Sequence, residues 1–274
     1  MKCWHYCSNS TFKKIIESHS LWLTDSTAMN DSTECKFIEE TVNEYYKEKP
    51  KSQFEEIIKQ NLSINFDKPR FLACFSMDCD LLSQWCKYAD DGRGVAIGFD
   101  TEVLDLPDNL LLGGTSDHNL GFSRVIYDKK KQKNYVKNKL DEAEELYSDI
   151  QQNPENYVGP QLKVFNYITD LTALSMIFKH PAFAEENECR LIFSPRPTCK
   201  PDGYRDTKDR FSPYHIFPFV RQNQQGDLEL RKDFVFEVKL GPRNMSKIDD
   251  IKNFLVINGY NDTVVNKSII PYRG

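Results

Sequence analysis

What this chain has too little of narrows it first. No stretch approaches the ~20 consecutive apolar residues that a membrane-spanning helix needs. The first ten residues, MKCWHYCSNS, are polar and aromatic where a secretory leader would carry an apolar core. A cytoplasmic location is therefore the expectation. Only 12 glycines are present, no GxGxxG follows a strand, and neither GxxxxGKS nor GxxxxGKT occurs. Hydride transfer on a dinucleotide-binding sheet and P-loop phosphoryl transfer lose their support. HExxH, GxSxG and CxxC are missing as well. The five histidines, His5, His19, His118, His180 and His215, are scattered, which leaves little for a histidine metal centre. No charge sign is in large surplus either: 36 Lys and Arg face 41 Asp and Glu, a net −5. Bulk electrostatics thus provides no general attraction to nucleic acid or to an anionic membrane.

What is there suits one globular domain. A chain of 274 residues buries roughly three quarters of its unfolded surface without help from metals or disulfides. The hydrophobic fraction of 39%, with 12% aromatic residues, supports a core rich in rings. Eight cysteines, Cys3, Cys7, Cys35, Cys74, Cys79, Cys86, Cys189 and Cys199, read as reduced and mostly buried thiols in a chain without a secretory signal. Cys3, His5 and Cys7 alternate along one short segment, but a zinc site there is the minority expectation and no metal is assigned.

Periodicity predicts a strand over 3–7, a helix after SNST with Phe12, Ile15 and Ile16 inward, and a strand at LWL. Ile38, Val42 and Tyr45, then Phe54, Ile57, Ile58 and Leu62, repeat at three- or four-residue steps. Pro50 divides them into two helices. Strands are expected over 71–75 and 95–99, flanking a helix from about 80 to 89. The turn ADDGRG follows that helix. FSRVIYD reads as another strand, and 129–150 as a long helix with Val136, Leu140, Ala143, Tyr147 and Ile150 inward. The basic run from Lys129 to Lys139 reads as a solvated face, since acidic residues follow it at once. A further helix is expected over 162–178. A strand then places Glu186, Glu188 and Arg190 on one side. FVFEVKLGP and TVVNKSII close the chain as strands around a helix at 248–257. This order predicts an α+β fold of mainly antiparallel strands, one domain over 1–274 with helical insertions near 31–62 and 128–178.

With the common motifs absent, polar residues embedded in apolar strands are the candidates for chemistry: His5, Ser76, Glu186, Glu188 and Arg190. A carboxylate beside a guanidinium stays ionised and can stabilise a developing cation. Taken alone, an ExExR strand is more often an ion-paired face. By the same measure, Trp85 and Tyr88 fit a helix core.

The segments LWLTDSTAMNDSTE, CFSMDCDLLSQWCKYADDGRGVAIGFD, FAEENECRLIF, FEVKLGP and SIIPYR resemble, in order, a bacterial family catalogued as domain of unknown function 2971. That family is similar in layout to the ADP-ribosyltransferase fold, in which split, mainly antiparallel sheets with peripheral helices form a cleft for NAD. The resemblance implies His5 on the adenosine-side ribose, Ser76 with Trp85 or Tyr88 near the nicotinamide, and Glu186 or Glu188 as the catalytic carboxylate. Tyr6, Asn30 and Arg190 complete the implied cofactor contacts. Where Asn-Asp-Pro would be expected in the early loop, Ser32 follows Asn30 and Asp31. The implied activity is transfer of ADP-ribose from NAD to a protein or nucleic acid, in a bacterial toxin or antiphage setting. No membrane partner is expected. The alternative is a non-catalytic nucleotide or nucleic-acid binding module.

Overall fold

The computed structural model describes residues 1–26, 33–47, 49–66, 70–104, 106, 120–157, 160–195, 198–207, 210–222 and 225–272. The chain opens with β1 (Lys2–Cys7), α1 (Asn9–Ser18) and β2 (Ser20–Asp25), then runs through α2 (Thr33–Lys47) and α3 (Gln53–Phe66). Next come β3 (Phe71–Ser76), α4 (Leu82–Tyr88), β4 (Val95–Asp100) and β5 (Leu120–Arg124). The helices α5 (Lys129–Gln152) and α6 (Pro160–Ala173) precede β6 (Glu188–Phe193). The chain ends with β7 (Gly203–Thr207), β8 (Arg210–Pro218), β9 (Val220–Gln222), β10 (Leu228–Leu230), β11 (Val235–Leu240), α7 (Ile248–Ile257) and β12 (Val264–Lys267). The first helix begins where the sequence places a cap: the Ser8 hydroxyl accepts from the Thr11 amide.

The architecture is mixed α+β, with ten strands in one open, mostly antiparallel sheet and a separate β9–β10 pair. Only β11 and β12 pair in parallel among the described strands. The expected split into separate sheets is corrected to a fork within one sheet. One edge of β3 pairs with β6 along its whole length. Its other edge is shared: β2 takes Phe71 and Leu72, and β1 takes Ser76. Two branches leave that edge, β1–β4–β11–β12 and β2–β8–β7. The His5 side chain bridges the opening, where Nδ1 lies 2.9 Å from the Cys74 carbonyl. Burial lowers the His5 pKa, which favours the neutral ring whose Nδ1–H donates to that carbonyl.

Period-two alternation then sorts side chains onto two faces. Cys3, Cys7, Phe75, Ile97, Phe99, Cys189 and Leu191 share one core with Phe12, Ile15 and Ile16 of α1 and Leu255 of α7. On the opposite face, Leu72 and Ile192 pack under a lobe of α2, α3, α5 and α6. Beside that lobe, α4 sets Trp85 and Ala89 against Tyr6 and Ala96. The inward stripe of α5 is Gln132, Val136, Leu140, Ala143 and Ile150. Tyr147 stacks on Phe54 at its margin. The lysines at the start of α5 engage neighbouring groups, Lys133 with Glu44 and Lys139 with Glu142. Among the described residues no group of three or more His, Cys, Asp and Glu could hold a metal ion.

The turn after α4 requires its glycines. Asp90, Asp91 and Gly92 all have positive φ, at 50°, 54° and 77°, a run that Asp and Gly tolerate best. A Cβ on Gly94 would come within 2.1 Å of the Cys7 carbonyl oxygen, which is backbone and cannot step aside. Gly94→Ala is therefore expected to lower unfolding free energy by about 2 kcal/mol or more through overpacking. Urea denaturation checks it, and an unchanged midpoint would contradict the close approach.

Candidate functional site

On the sheet face between the helical lobe and α4 lies a pocket of about 120 Å³. Strand β1 contributes Trp4, His5 and Tyr6, and β3 contributes Cys74, Phe75 and Ser76. Gln84 and Tyr88 come from α4, and Lys179, Glu186 and Glu188 from the approach to β6 and its first residue. This volume is below the ~300 Å³ of pockets that enclose a drug-sized ligand, and it suits a single ring. Two wider hollows, about 470 Å³ beside α7 and β12 and about 540 Å³ beside α3 and α5, hold no comparably buried carboxylates in their linings. The small pocket is the chemically distinctive one because its two acids are buried.

The two glutamates reach it by different routes. The expected single strand face of Glu186, Glu188 and Arg190 is corrected. Glu186 ends a 3-10 helix, Pro181–Glu186, and only Glu188 and Arg190 lie on β6. Asn187 between them adopts the left-handed conformation, φ 41°, which Asn tolerates better than most residues. Its carbonyl accepts from the Met77 amide. Ser76 completes the junction, donating from Oγ to the Glu186 carbonyl at 2.9 Å and accepting from the Asp78 amide at 3.1 Å. Its hydroxyl therefore fixes the backbone that carries Glu186.

Glu188 is fully engaged. Its Oε1 accepts from Arg190 Nε at 2.8 Å, and its Oε2 accepts from Lys179 Nζ at 2.9 Å and from Arg190 Nη2 at 3.1 Å. Burial pushes its carboxyl up, but Arg190 and then Lys179 outweigh burial and bring it to about 2. Arg190 also donates to the Met176 carbonyl, which ties the cluster to the helical lobe. Arg190 thus holds Glu188 and is not among the pocket-lining residues. Glu186 has looser company. Its Oε1 accepts from Lys87 at 2.9 Å and from the Tyr88 hydroxyl at 3.3 Å, while Lys179 donates to Oε2. Burial opposes ionisation here too, yet the hydrogen bonds from Lys179 and Lys87 hold Glu186 below its ordinary range.

The ammonium of Lys179 bridges both acids, and they in turn raise its pKa against the opposing pull of burial. Its position is set from outside, since Gln132 donates to the Lys179 carbonyl at 2.9 Å. Cys74 is a protonated thiol, pushed well above its ordinary value by burial and then by Glu188.

Of the residues read from sequence, the structure gathers His5, Tyr6, Ser76, Tyr88, Glu186 and Glu188 around one cavity. Trp85 does not line it. The indole is fully buried, crosses Tyr6 edge-on at 4.7 Å and donates to Asp80 at 2.7 Å. Because it faces the core, the aromatic at the pocket is Tyr88. The Tyr6 hydroxyl donates to the Asp78 carbonyl and accepts from the Leu81 amide, which anchors the start of α4 to β1. Asn30 and residues 107–119 lie outside the described residues. Sequence reasoning missed Gln84, Lys87 and Lys179. Gln84 and Tyr88 are four apart, a spacing that puts them on one helix face. No comparable pattern marked Lys179.

Fold and site together define a mixed α+β protein with a charged pocket on one sheet face. Residues 84–191 match the family model described as Protein of unknown function (DUF2971), and the family resemblance read from the sequence is shown there. The matched stretch includes α4, Lys179, both glutamates and Arg190. No curated protein and no solved structure matches the chain.

Two outcomes follow from the buried cluster. Replacing Glu188 with Gln leaves Arg190 and Lys179 short of a counter-charge, with an expected loss of about 3 kcal/mol of stability. Because the folded pKa of Glu188 lies below its ordinary 4.5, its contribution is complete above pH 4.5. It is lost as pH falls toward about 2. Thermal melts between pH 6 and 2.5 should show a steeper acid loss in the native protein than in Glu188→Gln. Parallel curves would remove Glu188 from this role.

Proposed function

We propose that this protein is an enzyme of the ADP-ribosyltransferase type, which binds NAD with its cationic nicotinamide ring in the pocket and transfers ADP-ribose to a protein or nucleic acid. One observation carries the reading: two residues that line the pocket, Tyr88 and Glu186, already meet a cation. The ammonium of Lys87 lies 5.0 Å from the Tyr88 ring centre, 5.4 Å from that of Phe183 and 2.9 Å from Glu186. The Lys87 side chain is 51% exposed, so solvent can take back its ammonium at small cost. A cationic ring taking its place keeps the aromatic and carboxylate partners, and a desolvated cation–π contact contributes ~2 kcal/mol. The cavity accommodates that ring, with the rest of the dinucleotide outside it.

The chemistry asks for what Glu186 offers. The bond between ribose C1′ and the ring nitrogen breaks, and its electron pair returns to that nitrogen. A lone pair on the acceptor then bonds to C1′, and the proton of the acceptor passes to solvent. Positive charge builds on the ribose between these events. An ionised carboxylate accepting from a ribose hydroxyl stabilises that state more than the ground state. Glu186, whose partner Lys87 is exposed, takes this role, and Glu188 positions Lys179 beside it. The meeting of His5, Ser76 and Glu186 at one pocket, in the chain order of an ADP-ribosyltransferase cleft, supports the reading. A bacterial toxin or antiphage role is the setting it carries. A second reading, a non-catalytic nucleotide or nucleic-acid binding module, is favoured by one feature: three cations, Lys87, Lys179 and Arg190, face two carboxylates.

Incubation of the protein with NAD, alone and with cell lysate, separates the two. Nicotinamide release or label transfer is expected, reduced about 100-fold or more in Glu186→Gln with unchanged circular dichroism. Full activity in that variant would sink the catalytic assignment. Salt-dependent NAD or nucleic-acid binding without release would support the binding module.

A further inference from the structure

We infer that Gln84 is the specificity residue of this pocket, reading the edge of a planar ring that presents a hydrogen-bond donor beside an acceptor, as a primary carboxamide or a 6-aminopurine does. Gln84 lines the cavity, is only 6% exposed, and has no hydrogen-bond partner for its side chain among the described residues. An amide that meets only the solvent of a cavity is open to a ligand that takes that solvent's place and completes both its functions. It carries one acceptor oxygen and a donor NH₂ in one plane, so its natural complement offers the same two functions reversed.

Most other polar groups at the pocket are already committed, the exception being Trp4, whose Nε1 is buried without a partner among the described residues. Ser76 holds the Glu186 backbone, the Tyr6 hydroxyl holds the start of α4, and both oxygens of Glu188 are taken. Lys179 is shared between the two acids. Gln84 therefore adds a neutral donor–acceptor pair where its neighbours supply charge. Its place one turn before Tyr88 on α4 sets that pair beside an aromatic face suited to a flat ring. Glutamine pairs with the donor and acceptor of adenine in this two-point manner. A carboxylate ligand, with acceptors alone, would oppose the amide oxygen of Gln84, whereas the charges of the two glutamates are already offset by Lys87, Lys179 and Arg190.

The catalytic proposal bears on which ring arrives, and the test is independent of it. Binding of nicotinamide, benzamide and adenine to the full chain is compared, by calorimetry or saturation-transfer NMR, with binding of nicotinate, benzoate and unsubstituted purine. At least one donor–acceptor ligand should bind roughly tenfold more tightly than its counterpart. Gln84→Leu should abolish that preference, and Glu186→Gln should keep it. The responding arm, carboxamide or aminopurine, names the source of the edge. Equal binding, tighter binding of the acids, no binding of any ligand, or a preference surviving in folded Gln84→Leu would overturn the inference. The native protein's selectivity is measurable even if that variant does not fold. Selective binding without NAD cleavage would leave Gln84 in place and remove only the catalytic assignment.

Discussion

A carboxylate buried beside the middle strands of a large sheet must be neutralised where it stands, and much of this site follows from how Glu188 is satisfied. Its oxygens face Arg190 from the same strand and Lys179 from the segment before it. Isolated, such a charge would cost far more than a domain can tolerate, and it would take up a proton instead. With both cations in place it stays ionised. Lys179 is thereby fixed where it can also hold Glu186, and Arg190 reaches across to the helical lobe at Met176. The charge cluster thus joins the sheet, the helices and the pocket.

The fork in the sheet provides the space. If β1 paired with β3 along its length, backbone hydrogen bonds would close the edge that His5 now bridges. Because β1 pairs with β3 only at Trp4 and Ser76 and runs fully along β4, its near end diverges toward α4. Helix α4 is short, seven residues, and its stability comes from tertiary anchors more than from its own hydrogen bonds. Asp80 supplies one, accepting from Trp85, Ser268 and the Ile269 amide. Asp91 supplies another at the far turn, accepting from Arg243 and Tyr272. The last residues described thus brace the wall that carries Gln84, Lys87 and Tyr88.

Much of this was legible in the residues. The helix over 248–257, the division at Pro50, and the strand-helix-turn-strand block from Phe71 to Asp100 have strong local signals, and the structure has them within a residue or two. His5, Ser76, Tyr88 and the two glutamates were drawn from different segments, and they converge. Trp85 and Tyr88 could not be assigned opposite roles from sequence, because a helical stripe tells which residues share a side and not which side meets the core. Glu186 was read into the strand because alternation carries no mark of where a strand begins. One left-handed residue, Asn187, separates it.

Local chemistry in the sequence determined the element types, the mainly antiparallel α+β class and the presence of polar groups within apolar strands, since periodicity, capping and turn propensity act over a few residues. Only the tertiary structure decided that one sheet forks, that Lys179 lies between two acids drawn from different elements, and that Gln84 lines a cavity with no side-chain partner among the described residues. Those facts depend on contacts between residues more than a hundred positions apart, such as Ser76 with Glu186. No short-range pattern encodes them, because the energy that selects them comes from burial and charge pairing across the assembled molecule.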